Sequence, residues 1–528
     1  MAEAIARATA WPRRALARRG GRPPVALVAA ALAVALLALL PIAFVVGQTV
    51  SIGVDQARAL LWRPLVGTLL VHTVALTVTA TVACAVIGTA VAWCVERAHL
   101  PGRRVWAVVA ALPITVPAFV TSYGWVSLTP AVQGFGGATM IVTLAYYPIV
   151  YLPMVAALRG MDPALEEAAR SLGLGPWRTF FRVTLPQAKP ALLGGSLIVA
   201  VHLLAEFGAF AMLRFQTFTT AIYDQYQLSF DGAAASMLAL VLVVLCVSLL
   251  VLEQLMRGRA RYVRLGSGAA RALHRHDLGR ATPAVVLAFA VLATAALGVP
   301  MAALVYWLVH GSSSALPVAS LLSAAGASLR LGLGAALVTT VLALPVCILA
   351  VRHRSRLSTL LERSTYVAYA LPGIVVALAF ILVSVHHVRA IYQTTLLLLL
   401  AYAVLFLPLA LVGVRAALLQ ASPTHEQTAR SLGCGPLAVL RRVTLPLIAP
   451  GLGAAATLVF LSTVTELTAT LLLAPIGTQT LATEVWSNTK SLAYGAAAPY
   501  AALMVAVSAV PTYVLTRRLG ALRGASVA

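Results

Sequence analysis

One stretch of this chain occurs twice at a fixed offset. Its first copy, PALEEAARSLGLGPWRTFFRVTLPQAKP, runs from Pro163 to Pro190, and its second, PTHEQTARSLGCGPLAVLRRVTLPLIAP, from Pro423 to Pro450. The offset of 260 residues holds without a gap, and about half of the positions are identical. A repeat this regular marks two copies of one structural unit, so whatever the chain folds into must present the unit twice. The stretch also dictates its own local structure. Asp162 and Ser422 are good N-caps, and the prolines behind them suit a first helical position. A short helix then runs to about Leu172 or Leu432, where Gly-x-Gly-Pro breaks it, because glycine tolerates positive φ and proline disfavours a helical residue before it. A second short segment leads through Thr-Leu-Pro into apolar sequence. The expectation is a helix, a bend and a second helix: a rigid knuckle between two membrane spans. An amphipathic loop lying on lipid needs only charge and an apolar face, and would not repeat Glu-x-x-Ala-Arg-Ser-Leu-Gly.

The rest of the chain is apolar enough to place the knuckles in a membrane protein. Of 528 residues, 61% are hydrophobic and 10% charged, against about a quarter charged in a water-soluble globule. The net charge of +23 could signal nucleic acid, but its distribution argues otherwise. All but six of the 38 basic residues fall at the N-terminus or in segments after alternate apolar runs, which the positive-inside rule requires. The six exceptions are Arg58, Arg63, Arg214, Arg330, Arg389 and Lys490. Both termini and both knuckles are therefore expected on the cytoplasmic side, with the bilayer as solvent and no nucleic-acid partner. Cys84, Cys94, Cys246, Cys347 and Cys434 show no metal spacing and read as reduced, packed small residues.

Spans can be drawn near 25–46, 66–95, 105–128, 138–158, 191–213 and 233–256, then near 283–309, 327–351, 365–385, 392–414, 451–474 and 496–516. The first follows Arg7, Arg13, Arg14, Arg18, Arg19 and Arg22 in the manner of a signal peptide, but it is long enough to cross and reads as an uncleaved helix. The fold class is thus all-α and polytopic, with twelve transmembrane helices in two homologous six-helix halves. A basic tail (1–24) precedes the first half (25–256, knuckle 162–190). A basic linker (257–281) leads to the second half (282–528, knuckle 422–450). The linker reads as a solvated tether at the headgroups, and His274 and His276 are too few for a metal site.

Two carboxylates fall inside apolar runs, again 260 residues apart: Glu206 in VHLLAEFGAF and Glu466 in LSTVTELTAT. A carboxylate at such depth costs several kcal/mol unless it faces a partner, a cavity or the bundle interior. Matching positions imply a pair across the interface of the halves. It either lines a translocation path or holds the helices together. His202 lies four residues before Glu206, with Ser462 as its counterpart, and reads as a local partner of that carboxylate.

A transporter needs an energy source. A phosphate-binding loop of the Walker type needs Gly-Lys followed by Ser or Thr, and the two lysines, Lys189 and Lys490, follow Ala and Thr. No nucleophile–base constellation stands out, so no catalytic residue and no cofactor is expected. Either a separate ATPase docks, as two knuckles would suit, or an ion gradient drives transport, as in two-half secondary transporters.

The knuckle resembles the EAA loop of ABC importer permeases. The resemblance implies the type I importer fold, with a core of about five spans per half. It implies that Glu166, Ala169, Arg170 and Gly173, and again Glu426, Ala429, Arg430 and Gly433, belong to coupling helices that insert into an ATPase. The implied partners are two copies of the ATPase subunit and an extracytoplasmic substrate-binding protein, at a bacterial cytoplasmic membrane. Gln427 and Thr428 stand where the first copy has Glu167 and Ala168, so the two contacts need not be equal. The stretches Ala205–Tyr226 and Thr465–Trp486 are similar to the ferric-iron branch of the family. Related permeases for thiamine, phosphonate, polyamines, sulfate or molybdate share much of the pattern. Tyr223, Asp224 and Tyr226 are oxygen-bearing residues of an external loop, equally explained by a turn or a binding-protein contact.

Overall fold

The computed structural model describes residues 23–256, 275–311, 318–368 and 371–524. The arginines of the N-terminal tail, and the linker up to residue 274, lie outside the described residues. The described chain is helical, and its one β-bridge joins Ala98 to His276. Nine of the described helices are long and apolar enough to cross a bilayer, and a bent pair makes ten.

Four of the twelve expected spans are broken rather than continuous: 191–213 and 451–474 at Glu206 and Glu466, and two more at prolines. The region 105–128 forms Arg103–Val109, a turn of 3-10 helix at Leu112–Thr115, and Ala118–Val126, with a bend of 92°. Pro117 is the cause. Val116 before it is pushed to an extended conformation (φ −100°, ψ 118°), as the residue preceding a proline must be. In the second half, the region 365–385 is divided between Arg356–Val367 and Gly373–His387, with Pro372 at the start of the latter. Hydropathy alone joins such pieces, because a prolyl break removes donors without removing apolar side chains. The last expected span lies within the helix Tyr494–Gly524.

The halves are interlocked. The first helix of the chain, Val25–Ile52, packs on Val318–Arg352, Arg356–Val367 and Gly373–His387 of the second half. Its buried Ala31, Val34, Ala35 and Ala38 join a core made largely of second-half residues. In exchange, the helix that opens the second half, Thr282–His310 with a π-turn at Thr294–Gly298, packs on Ala118–Val126. There Trp125 Nε1 donates to the carbonyl of Ala295 at 3.3 Å and Trp106 meets Phe289 edge-on at 5.6 Å. A third cluster mixes residues of both halves, among them Phe119, Phe207, Val464, Leu467 and Trp486.

Close approach depends on small residues, as in other membrane helix pairs. A Cβ on Gly124 would stand 2.6 Å from Pro300 Cα, whereas one on Gly67 would meet nothing within 4 Å. Gly124→Val is therefore expected to cost about 1–3 kcal/mol through overpacking, and Gly67→Val to be near neutral. Thermal unfolding of the purified variants in detergent reads the difference. Equal midpoints would contradict the packing of these two helices.

Candidate functional site

Each knuckle is built as its sequence predicts. The helix Pro163–Ser171 starts where the Asp162 side chain accepts from Ala164 N at 3.1 Å, and Pro423–Ser431 where Ser422 Oγ accepts from Thr424 N at 3.3 Å. Both stop at a left-handed glycine, Gly173 (φ +84°) and Gly433 (φ +83°). Around them Leu174 N reaches back to Ala169 O and Cys434 N to Ala429 O, at 3.1 and 3.0 Å, a Schellman-type closure. The second glycine of each pair needs no such freedom. Gly175 and Gly435 are both extended at φ −67° and ψ 165°. After them come Pro176–Thr179 and Pro436–Val439, each running through a π-turn, Phe180–Thr184 and Leu440–Thr444, into a long helix.

The glutamate of each knuckle faces inward. Glu166 and Glu426 are 7% and 8% exposed, and each ties three segments together. Oε1 of Glu166 accepts from Thr184 Oγ1 of the π-turn at 3.0 Å and meets Arg97 Nη2 at 3.2 Å. Oε1 of Glu426 accepts from Thr444 Oγ1 at 3.3 Å and meets Arg352 Nη2 at 2.9 Å. Arg97 and Arg352 are the last residues of the long helices Pro64–Arg97 and Val318–Arg352. They also donate to the carbonyls of Leu158 and Ala421, which close the next helices, at 3.1 and 3.0 Å. Knuckle, π-turn and two spans are thus joined through one carboxylate.

The sequence reading missed these two arginines as site residues and counted them only as cytoplasmic charges. Their signal was their position, each at the end of the second long helix of its half. Ala169 is buried, while Ala429 is half-buried. Arg170 is half-buried and Arg430 exposed. Apolar side chains stand out at the tip of each knuckle: Leu172 is 83% exposed and Leu432 79%, with Trp177 and Leu437 beside them at 72% and 67%. Exposed leucines thus stand at the tip of a capped helix, over an ionic base.

The second candidate region lies about 30 Å away, the length of the 21-residue helix Leu185–Ala205. That helix ends at Glu206, as Leu445–Val464 ends just before Glu466. Each carboxylate turns onto the short helix that follows, accepting from Ala209 N at 2.9 Å and Ala469 N at 2.8 Å. A broken helix thus has its orphan donors satisfied by the glutamate at the break. The halves touch closely here. A Cβ on Gly208 would fall 2.8 Å from Leu467 Cδ2 of the other half, and, within the second half, one on Gly373 would fall 2.9 Å from Glu466 Oε1. Phe207 packs on Tyr223 and Trp486 at ring distances of 4.8 and 5.2 Å, next to the pair.

The pair is not symmetric. Tyr146 Oη donates to Glu206 Oε2 at 2.5 Å, and the matching residue of the equally long helix Thr395–Gln420 is Phe406. The expectation that His202 partners Glu206 directly is not met. The helix stops at Ala205, so Glu206 (φ −69°, ψ 130°) leaves the face that an i, i+4 relation assumes. His202 Nδ1 instead lies 2.8 Å from the carbonyl of Ile198, and the ring packs edge-on against Tyr146 at 5.8 Å. Among the described residues, no group of three or more His, Cys, Asp or Glu side chains could hold a metal ion.

Replacing Glu166 or Glu426 by alanine leaves an arginine, buried Arg97 or half-buried Arg352, without its carboxylate. The expected local loss is about 3 kcal/mol, or roughly a hundredfold faster amide exchange in the affected knuckle. Exchange mass spectrometry should find the change confined to the mutated copy. Unchanged exchange in both single variants would contradict the three-way tie.

Residues 85–262 and 343–521 each match the family described as the binding-protein-dependent transport system inner membrane component. The Fe(3+)-transport system permease protein FbpB 2 of Haemophilus influenzae is 38% identical over 94% of this chain and 99% of its own length. The ferric transport system permease protein FbpB of Actinobacillus pleuropneumoniae is 24% identical over 71% of this chain and 57% of its own. The molybdenum transport system permease protein ModB of Escherichia coli is 30% identical over 31% of this chain and 82% of its own. Two matches to one family within one chain, over two halves that carry the same buried tie, make this chain a fused two-half, multi-pass member of the inner-membrane permeases of binding-protein-dependent ABC importers.

Proposed function

We propose that this permease carries ferric iron into the cytoplasm, driven by two copies of a separate ATPase subunit docked on the two knuckles. The repeated tie beneath the knuckles is the observation that supports the docking. A partner that pushes on Leu172 or Leu432 pushes, through Glu166 or Glu426, on two spans at once. Ala169, Arg170 and Gly173, with Ala429, Arg430 and Gly433, complete the coupling surfaces. The chain would supply no ATPase site of its own. Both termini and both knuckles would be cytoplasmic, and an extracytoplasmic binding protein would deliver the cargo. The working units would be the halves 25–256 and 282–528, with the tail 1–24 and the linker 257–281 outside them.

The choice of iron rests on the relative that matches nearly the whole chain and on the charge at the interface of the halves. Glu206 and Glu466, flanked by Tyr146 and His202, would line the path for the cargo. A pair of carboxylates attracts a hard cation and repels molybdate, sulfate or phosphonate. Thiamine and polyamines are cations too, and remain outcomes of the test.

Uptake of radioactive iron by iron-starved cells, with and without the gene, is the direct measurement. Loss on deletion is expected, together with loss in the double variant Gly173→Asp, Gly433→Asp, whose left-handed turns an aspartate strains. Glu206→Gln and Glu466→Gln are expected to slow uptake at least tenfold while the protein stays inserted. Undiminished iron uptake after deletion would overturn the iron assignment, and normal uptake in the double-glycine variant would overturn the coupling assignment.

A further inference from the structure

The two knuckles are alike in backbone and unlike in what holds them. Arg430 is exposed, whereas Arg170, at the same position of the first copy, is half-buried. The Nη2 of Arg170 donates to Nε2 of His276 at 2.5 Å. His276 belongs to the segment by which the chain enters its second half, and that segment is stitched to the first half. His276 N donates to Arg97 O at 2.8 Å, and His99 N donates to His276 O at 2.9 Å. The imidazole stacks on Trp93 (5.8 Å, 23°), which stacks in turn on Trp177 (6.3 Å, 15°) and meets Phe180 edge-on. One small aromatic stack therefore joins the end of a span, the linker exit and the second limb of the first knuckle, and the Arg170 contact adds the first limb.

Among the described residues nothing equivalent serves the second knuckle. With Arg97 and Arg352 in register, Trp93 corresponds to Ile348, and at the knuckle offset Trp177 and Phe180 correspond to Leu437 and Leu440. A chain made of two halves has one linker, so only one knuckle can be held by it. The contact also fixes the state of the imidazole. A guanidinium only donates, so Nε2 must accept, which places the ring proton on Nδ1 and leaves the ring neutral. A protonated ring would set two cations against each other. The other charged and titratable groups on the elements that meet here are Glu96, Arg97 and His99 at the span end and Arg275 and Asp277 on the linker exit. The knuckle adds Glu166, Glu167, Arg178 and Arg182.

We propose that the linker exit at 275–278 is a clamp on the first coupling helix, with His276 as a positioning residue that fixes Arg170. The two knuckles then pass motion to their partners unequally. The first is held by the linker exit as well as by its own glutamate, and the second, among the described residues, by its glutamate. This rests on the proposed docking of an ATPase at both knuckles, but the clamp itself is measurable without that partner.

The test is amide exchange of the full-length permease in detergent, comparing Pro163–Ser171 with Pro423–Ser431 in the same sample. His276→Ala is expected to speed exchange of the first knuckle about tenfold relative to the second. His276→Gln, whose side-chain oxygen can accept from Arg170, should restore most of the difference. Lowering the pH from about 8 to about 5.5, across the ordinary imidazole range near 6.5, should mobilise the first knuckle in the parent and not in His276→Gln. An unchanged ratio in His276→Ala, or equal behaviour of the Ala and Gln variants, would overturn the clamp. In the assembled transporter, ATP hydrolysed per cargo ion should rise in His276→Ala and return in His276→Gln. A mobilised first knuckle with an unchanged ratio would overturn the unequal coupling. Failure of Ser171→Cys and Ser431→Cys to cross-link to the ATPase, in a Cys434→Ser background, would sink the docking instead and leave the exchange result standing.

Discussion

The structure depends on one buried carboxylate in each half. Glu166 and Glu426 sit where a short helix, a π-turn and the ends of two spans converge, and each bonds to a threonine and an arginine from different segments. Burying an ion pair does not by itself stabilise a fold, since desolvation offsets much of the attraction. What it does is specify an arrangement, because either charge alone would be left unpaired in a poorly solvated place. The apolar tip of the knuckle can then be exposed without the knuckle wandering. A π-turn at this point fits the same purpose, as such turns widen a helix locally and recur at functional sites.

At the other end of the same helices the break does the corresponding work. Glu206 and Glu466 end the spans that begin at the knuckles, and each satisfies the start of the next short helix. In the proposed coupling, a displacement at a knuckle would be carried along a continuous helix to a carboxylate at the interface of the halves. Phe207 and Leu467 follow the two glutamates directly and are buried in the cluster shared by both halves. The leading helices interlock the halves across that interface, since Val25–Ile52 packs on helices of the second half and Thr282–His310 on Ala118–Val126. The halves differ in what surrounds each carboxylate: Tyr146 donates to Glu206 where the second half has Phe406, whereas beside Glu466 Thr470 donates to the Glu466 carbonyl and meets Tyr402.

Much of this was legible in the residues. Caps at Asp162 and Ser422 and the turn at Gly173 and Gly433 follow from local chemistry, and the offset of 260 links equivalent positions without a structure. The prolines that break two spans were also visible, but an apolar window averages over Pro117 and Pro372. The partners of Glu166 and Glu426 were not legible. Arg97 and Arg352 lie far away in sequence, and a basic residue at a span end already has a topological explanation. His276 was hidden for the same reason, inside a stretch whose charge alone accounts for it. His202 illustrates the opposite error, where a helical spacing was applied across a point at which the helix stops.

The central claim is that both knuckles move with their spans when the docked ATPase closes. Spin labels on Ser171→Cys and Ser431→Cys, in the Cys434→Ser background, would report the distance between knuckles by pulsed electron resonance in the assembled transporter. The account predicts that the distance shortens when ATP binds and lengthens after hydrolysis, and that Glu166→Ala with Glu426→Ala broadens it and removes the response of uptake to ATP. A distance that stays fixed through the ATP cycle while cargo is carried would contradict it.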